Sequence, residues 1–223
     1  MEKEHIVGAF DADLDRIENE ILAMGKLVKK QIRAATNALL EINIEEVDSL
    51  IANDRQINGM NKNINSLAEQ MIAMRQPMAV DLRLALMATS ISTELERLGD
   101  HAKSTAKRVR RLTDVAPEKS IMELIEKMSD LVTSMLTDAL KAYKNRNIEK
   151  AAEVRLKDAE VDDINDQIFK MAVKAIKKNP EDIETLIHII LLSRNFERAG
   201  DHIVNIARQV HQIVTGEDLK ASS

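Results

Sequence analysis

Apolar residues recur along this chain in steps of three and four, the spacing of one helix face rather than of a strand. From Leu14 they run Leu14, Ile17, Ile21, Met24, Val28, Ile32, Ala35 and Leu39. Such a stripe predicts a helix of roughly 30 residues, about 45 Å long. A second stripe follows as Val47, Leu50, Asp54, Ile57, Asn61, Ile64, Ala68 and Met71, with Asn43 and Glu46 placed as a capping box before it. Asp54 and Asn61 are polar seam positions, and each needs a partner once buried. Gln76-Pro77 ends or re-aims that helix, because the residue before proline disfavours the α region. A third helix is expected from about Met78 to Arg111, and the stretch Thr113 to Glu118 is the best break in the chain.

Beyond the break the pattern returns. Ile121, Leu124, Met128, Leu131, Met135 and Ala139 make a fourth stripe, and Asn147-Ile148-Glu149 echoes Asn43-Ile44-Glu45. Asp158 stands where the earlier half has Asp54, and Pro180 answers Pro77. Glu96-Arg97-Leu98-Gly99-Asp100-His101 reappears as Glu197-Arg198-Ala199-Gly200-Asp201-His202, differing only at the third position. A duplicated three-helix unit accounts for this agreement. The expected fold is all-α, two tandem three-helix bundles over residues 8–113 and 118–216, with a flexible tail over 217–223.

Composition agrees with that reading. Only 6 Gly and 3 Pro occur in 223 residues, too few to punctuate the short strands of a β-sandwich or barrel. Aromatic residues make up 2% and the formal net charge is -5, which argues against nucleic-acid binding. With no cysteine, thiolate metal sites, disulfides and cysteine nucleophiles are excluded. The opening Met1-Glu2-Lys3-Glu4-His5 has no apolar run of a secretory signal behind it, and no stretch reaches the length of a membrane span. A cytoplasmic protein is expected.

The candidate chemistry lies in acids at i and i+4. Glu96 with Asp100, Asp158 with Asp162, and Glu197 with Asp201 each share a helix face, and the fourth counterpart is Asp54 with Asn58. Like charges at this spacing repel, so the pattern is not a helix-stabilising choice. Brought together by neighbouring helices, such groups would form oxygen-only clusters suited to divalent cations such as Mg²⁺, Mn²⁺ or iron. His101 and His202 are candidate supporting ligands at the edge. Gly99 and Gly200 each cost a helix about 1 kcal/mol relative to Ala, which points to a close approach at both places. The bland alternative is a solvated acidic face paired with Arg97, Arg198 and nearby lysines. No P-loop, nucleophile elbow or zinc-protease motif occurs, nor the Glu-x-x-His of di-iron bundles, so nothing supports an enzyme. A carboxylate-bridged metalloenzyme and a plain helical scaffold remain as competing classes.

Taken together, Phe10-Asp11, Met24-Gly25, Gln76-Pro77-Met78-Ala79-Val80-Asp81-Leu82-Arg83 and the two E-R-x-G-D-H motifs resemble the PhoU family of phosphate-signalling proteins. The family's E(D)-x-x-x-D metal motif maps onto Glu96 with Asp100, Asp158 with Asp162, and Glu197 with Asp201. Arg97, Arg198 and Asn205 stand as motif contacts. Two departures are visible: Asn58 replaces an acid, and Ser104-Thr105-Ala106 stands where the second half has Asn205-Ile206-Ala207. The resemblance implies a non-enzymatic cytoplasmic regulator, often a homodimer, that holds divalent metal. It further implies two partners, the ATPase subunit of a high-affinity phosphate ABC transporter and a phosphate-sensing histidine kinase, with contact to the membrane only through them. A regulator of a low-affinity phosphate permease is the variant within that class.

Overall fold

The computed structural model describes residues 2–112 and 118–217, with side chains from residue 10 onward. Nearly all of the expected break, Thr113 to Pro117, and the tail beyond Glu217 lie outside the described residues. Six long helices account for the rest: α1 (Glu2–Leu40), α2 (Val47–Arg75), α3 (Val80–Val109), α4 (Lys119–Asn145), α5 (Ile148–Lys178) and α6 (Ile183–Thr215). Among the described residues there is no strand. The apolar stripes point inward as the spacing requires, and Ile17, Ile21, Met24 and Val28 are fully buried on α1. On α4 the centre of the buried face is Ile125 and Val132, while Leu124 and Leu131 sit on its flank.

The two helix triplets share one continuous core. α1 packs on α4 and α3 on α6, in addition to contacts within each triplet. The joins obey a pseudo-twofold axis. Residues 25 and 129 are equivalent in the two halves, as are 36 and 140. Gly25 lies against Leu140, and the Thr36 hydroxyl bonds Ser129 at 2.8 Å. Because one residue number falls as its partner's rises, the paired helices run antiparallel.

Repetition extends to the turns. Ile42 and Arg146 both take left-handed backbone (φ 49° and 51°) at the ends of α1 and α4. The next amides close matching bonds, Asn43 N–H to Ala38 C=O (2.8 Å) and Asn147 N–H to Ala142 C=O (3.0 Å). The expected caps then diverge. Asn147 accepts from the Lys150 amide at 2.8 Å and caps α5. Asn43 does not cap α2: its side chain accepts from the Glu45 amide (3.1 Å) in a local turn, and α2 begins only at Val47. Glu46, expected inside a capping box, is the residue preceding α2 and makes no side-chain cap bond.

The proline connections also differ. Gln76 (φ 47°) and Ala79 (φ 50°) lie in left-handed territory on either side of Pro77-Met78, whereas Pro180 opens a single 3₁₀ turn, Pro180–Asp182. Both devices end one helix and start the next antiparallel to it.

Candidate functional site: two acidic motifs beside a cleft

Each acidic motif is assembled from two helices of its own half. Asp54 and Asn58 lie on α2 facing Glu96 and Asp100 on α3; Asp158 and Asp162 lie on α5 facing Glu197 and Asp201 on α6. The seam positions that looked costly in the sequence have partners. Ser92 donates to Asn61 at 2.8 Å, and its counterpart Ser193 donates to Asn165 at 2.8 Å. Asp54, only 4% exposed, receives the Lys103 ammonium at 2.7 Å.

Glycine supplies the close approach at both motifs. A Cβ on Gly99 would meet Ile57 at 3.0–3.1 Å and Asp54 Oδ1 at 3.7 Å; one on Gly200 would overlap Asp158 Oδ1. The missing side chain at position 200 therefore lets the Asp158 carboxylate lie against α6.

The electrostatics of the halves are unlike. Burial pushes Asp158 up to about 6, reinforced by the charges of Asp162, Asp201 and Glu197. Burial also raises Asp162, with Asp201 adding to it. Glu197 is raised by burial, with Asp201 and Asp162 adding and Arg194 opposing. In the first half burial and Asp100 raise Glu96, but hydrogen bonds to Asp100 and Asp54 hold the Lys103 ammonium firmly charged.

Buried oxygens without a hydrogen-bond partner occur in both motifs, Asp54 Oδ1 and Asn58 Oδ1 in the first and Asp158 Oδ1 and Glu197 Oε2 in the second. Oxygen-only donors, unpartnered and mutually repelling, fit a hard divalent cation in their chemistry. Among the described residues no three acid or histidine groups already converge at one bonding point, so a cation would have to gather these side chains.

The two histidines meet at the junction of the halves. His101 and His202 face each other where α3 crosses α6, ring centroids 5.3 Å apart. Burial, then His202 and Arg198, pull His101 down to about 4, so it is neutral at physiological pH. The Nδ1–H of His202 donates to Glu94 Oε2 at 2.6 Å, as a carboxylate acceptor requires. Asn205 reaches the other oxygen of Glu94 at 3.5 Å. The dyad-related contact is Asn195 donating to Ser104 at 3.3 Å. Ser104, which departs from its counterpart Asn205, therefore still contributes to the seam.

Around the histidines opens a cleft of about 650 Å³, lined by Arg97, Asp100, His101, Arg198, Asp201, His202, Asn205 and Arg208. Both E-R-x-G-D-H motifs thus converge on one surface feature, with one acid of each facing it. The sequence reading missed Glu94 and Asn195, whose partners lie across the seam and leave no local pattern. It also missed Lys103, which an alignment of the two halves reveals, since Val204 holds the matching place.

The PhoU domain family model matches twice, over residues 21–109 and 125–210. The chain belongs to the PhoU family. A phosphate-specific transport system accessory protein PhoU homolog of Caulobacter vibrioides is 35% identical over 216 residues, covering 97% of this chain and 94% of that protein. The homolog so named in Clostridium acetobutylicum is 33% identical over 211 residues, covering 94% and 96%. Crystal structures agree in fold along nearly the whole chain. PhoU from Pseudomonas aeruginosa superposes with a TM-score of 0.88 at 32% identity, covering 93% of this chain and 100% of that one. The phosphate transport system regulatory protein PhoU from Streptococcus pneumoniae does so with a TM-score of 0.88 at 28% identity, covering 95% and 100%. The two PhoU matches each fall within one helix triplet, α1–α3 and α4–α6.

Proposed function

We propose that this PhoU-family chain is a non-enzymatic regulator that restrains the phosphate-starvation response when phosphate is plentiful. It does so by linking the ATPase subunit of a high-affinity phosphate transporter to a sensor histidine kinase at the cytoplasmic face of the membrane. The observation that carries this reading is similarity along 97% of the chain to a relative named as an accessory protein of phosphate-specific transport. Among the described residues no helix is long and apolar enough to cross a membrane, so contact with the membrane would run through partners.

Asp158, Asp162, Glu197 and Asp201 are the residues that would hold a divalent cation. Bound there, the ion would supply positive charge that cancels their repulsion and ties α5 to α6. The residues themselves present an acidic face fixed on two rigid helices, a suitable surface for a protein partner. His101 and His202 engage each other and Glu94, which favours a docking surface over a di-iron enzyme with histidines in its coordination sphere.

The test is co-purification of the tagged chain with the transporter ATPase and the kinase, in Mn²⁺ and in EDTA. Both partners are expected with wild type in Mn²⁺, and both should weaken for Glu197→Ala/Asp201→Ala. Retention of neither partner by wild type would contradict the linking role. Normal retention by the double variant, after demonstrated loss of metal, would contradict the docking role of the acids. Sedimentation of the purified chain should show a homodimer.

A further inference from the structure

The duplicated halves differ at one residue where a cation matters most. Lys103 follows Asp100 by one helical turn, and its Nζ lies 2.6 Å from Asp100 Oδ1 and 2.7 Å from Asp54 Oδ2. It therefore bridges α2 and α3 through the two carboxylates of the first motif. Asn58 donates to the same Asp54 oxygen at 3.1 Å, where the second half has a fourth acid, Asp162. The counterpart of Lys103 is Val204, 6% exposed and without any donor.

We propose that Lys103 is a tethered counter-cation that fills the first motif, so that divalent metal is taken up by the second half alone. The inference rests on the metal-holding surface of the preceding reading and concerns which half carries it. An ammonium at hydrogen-bond distance from two carboxylates cancels one of their two negative charges and occupies the space between them. A divalent ion entering there would have to displace Lys103 and leave its charge beside the metal. Asn58 compounds the effect by replacing an anionic donor with a neutral amide. In the second half no ion pair to Asp158, Asp162, Glu197 or Asp201 is formed among the described residues. Buried oxygens without a partner occur in both motifs, Asp54 Oδ1 and Asn58 Oδ1 in the first and Asp158 Oδ1 and Glu197 Oε2 in the second, so it is the Lys103 ion pair that sets the halves apart. The two halves have opposite solutions to one electrostatic problem: a covalently attached cation in the first, and a diffusible one in the second.

Native mass spectrometry and isothermal titration with Mn²⁺ test this on the full chain, with circular dichroism to verify folding. Wild type should bind Mn²⁺, Asp158→Asn/Asp201→Asn should lose at least about tenfold in affinity, and Glu96→Gln/Asp100→Asn should bind as wild type does. Lys103→Met/Asn58→Asp should gain Mn²⁺ beyond the wild-type stoichiometry, and adding Asp100→Asn should remove that gain. Lys103→Gln/Asn58→Asp serves the same purpose if the methionine variant does not fold. No Mn²⁺ bound by wild type would overturn both this inference and the metal surface on which it rests. Binding lost on changing Glu96 and Asp100, or no gain after removing Lys103, would overturn the inference while leaving the metal surface standing.

Discussion

At the scale of single residues, the positions that look unfavourable in isolation are the ones the structure uses. Gly200 costs α6 helix propensity, yet its bare backbone receives the Asp158 carboxylate. Gly200→Ala should leave the denaturation midpoint nearly unchanged, since about 1 kcal/mol of helix propensity offsets the displaced side chain. Its Mn²⁺ affinity, read by titration, should fall by about tenfold because Asp158 is pushed aside. Asp138 shows the opposite balance. Burial pushes its carboxyl upward, but hydrogen bonds from Lys157 (2.7 Å) and Lys150 outweigh this and hold it below the usual range. A depressed carboxylate contributes stability above its unfolded value and loses it as pH falls through the folded one. Asp138→Asn should therefore cost about 1–2 kcal/mol at neutral pH. That difference should vanish on acidification, which urea denaturation at several pH values checks. The acid spacings and both helical glycines were visible in the sequence. The Lys103 bridge is not legible on α3 alone, because a lysine one turn beyond an aspartate is ordinary on any exposed helix; only the comparison with Val204 in the second half marks it.

At the scale of elements, periodicity carried the fold further than the caps did. All six helices were legible because each buries a stripe whose spacing survives in the sequence. Helix starts were less so. Asn43 and Asn147 occupy equivalent places after equivalent left-handed turns, but only Asn147 accepts from the third amide on. Asn147→Ala should destabilise the protein by about 1 kcal/mol, and Asn43→Ala by less, when midpoints of thermal unfolding are compared. On α4 the periodicity points through Leu124 and Leu131, slightly off the centre of the buried face. Its true axis through Ile125 and Val132 is set by packing on both α1 and α5, which no single helix encodes.

At the scale of the whole molecule, duplication does more than repeat a unit. It generates a pseudo-twofold seam in which α3 crosses α6 and the two E-R-x-G-D-H motifs meet around His101 and His202. The two tandem three-helix bundles expected from the sequence are joined by the antiparallel contacts into one shared core. Glu94 holds this seam by accepting from His202 and Asn205, so Glu94→Ala should cost about 1–3 kcal/mol in chemical denaturation. Its dyad counterpart Asn195 makes a single 3.3 Å bond to Ser104 and should cost less. The cross-seam partners could not be read from sequence, because Glu94 and Asn205 share neither a helix nor a spacing. The phosphate-linked role and the acidic second-half surface are joined most directly in one measurement: alkaline phosphatase expression in phosphate-rich medium, in a strain lacking this chain and complemented with variants. Wild type should restore full repression, and Asp158→Asn/Asp201→Asn, expressed at equal level, should leave expression raised. Equal repression by both, or unchanged expression in the strain lacking the chain, would contradict the account.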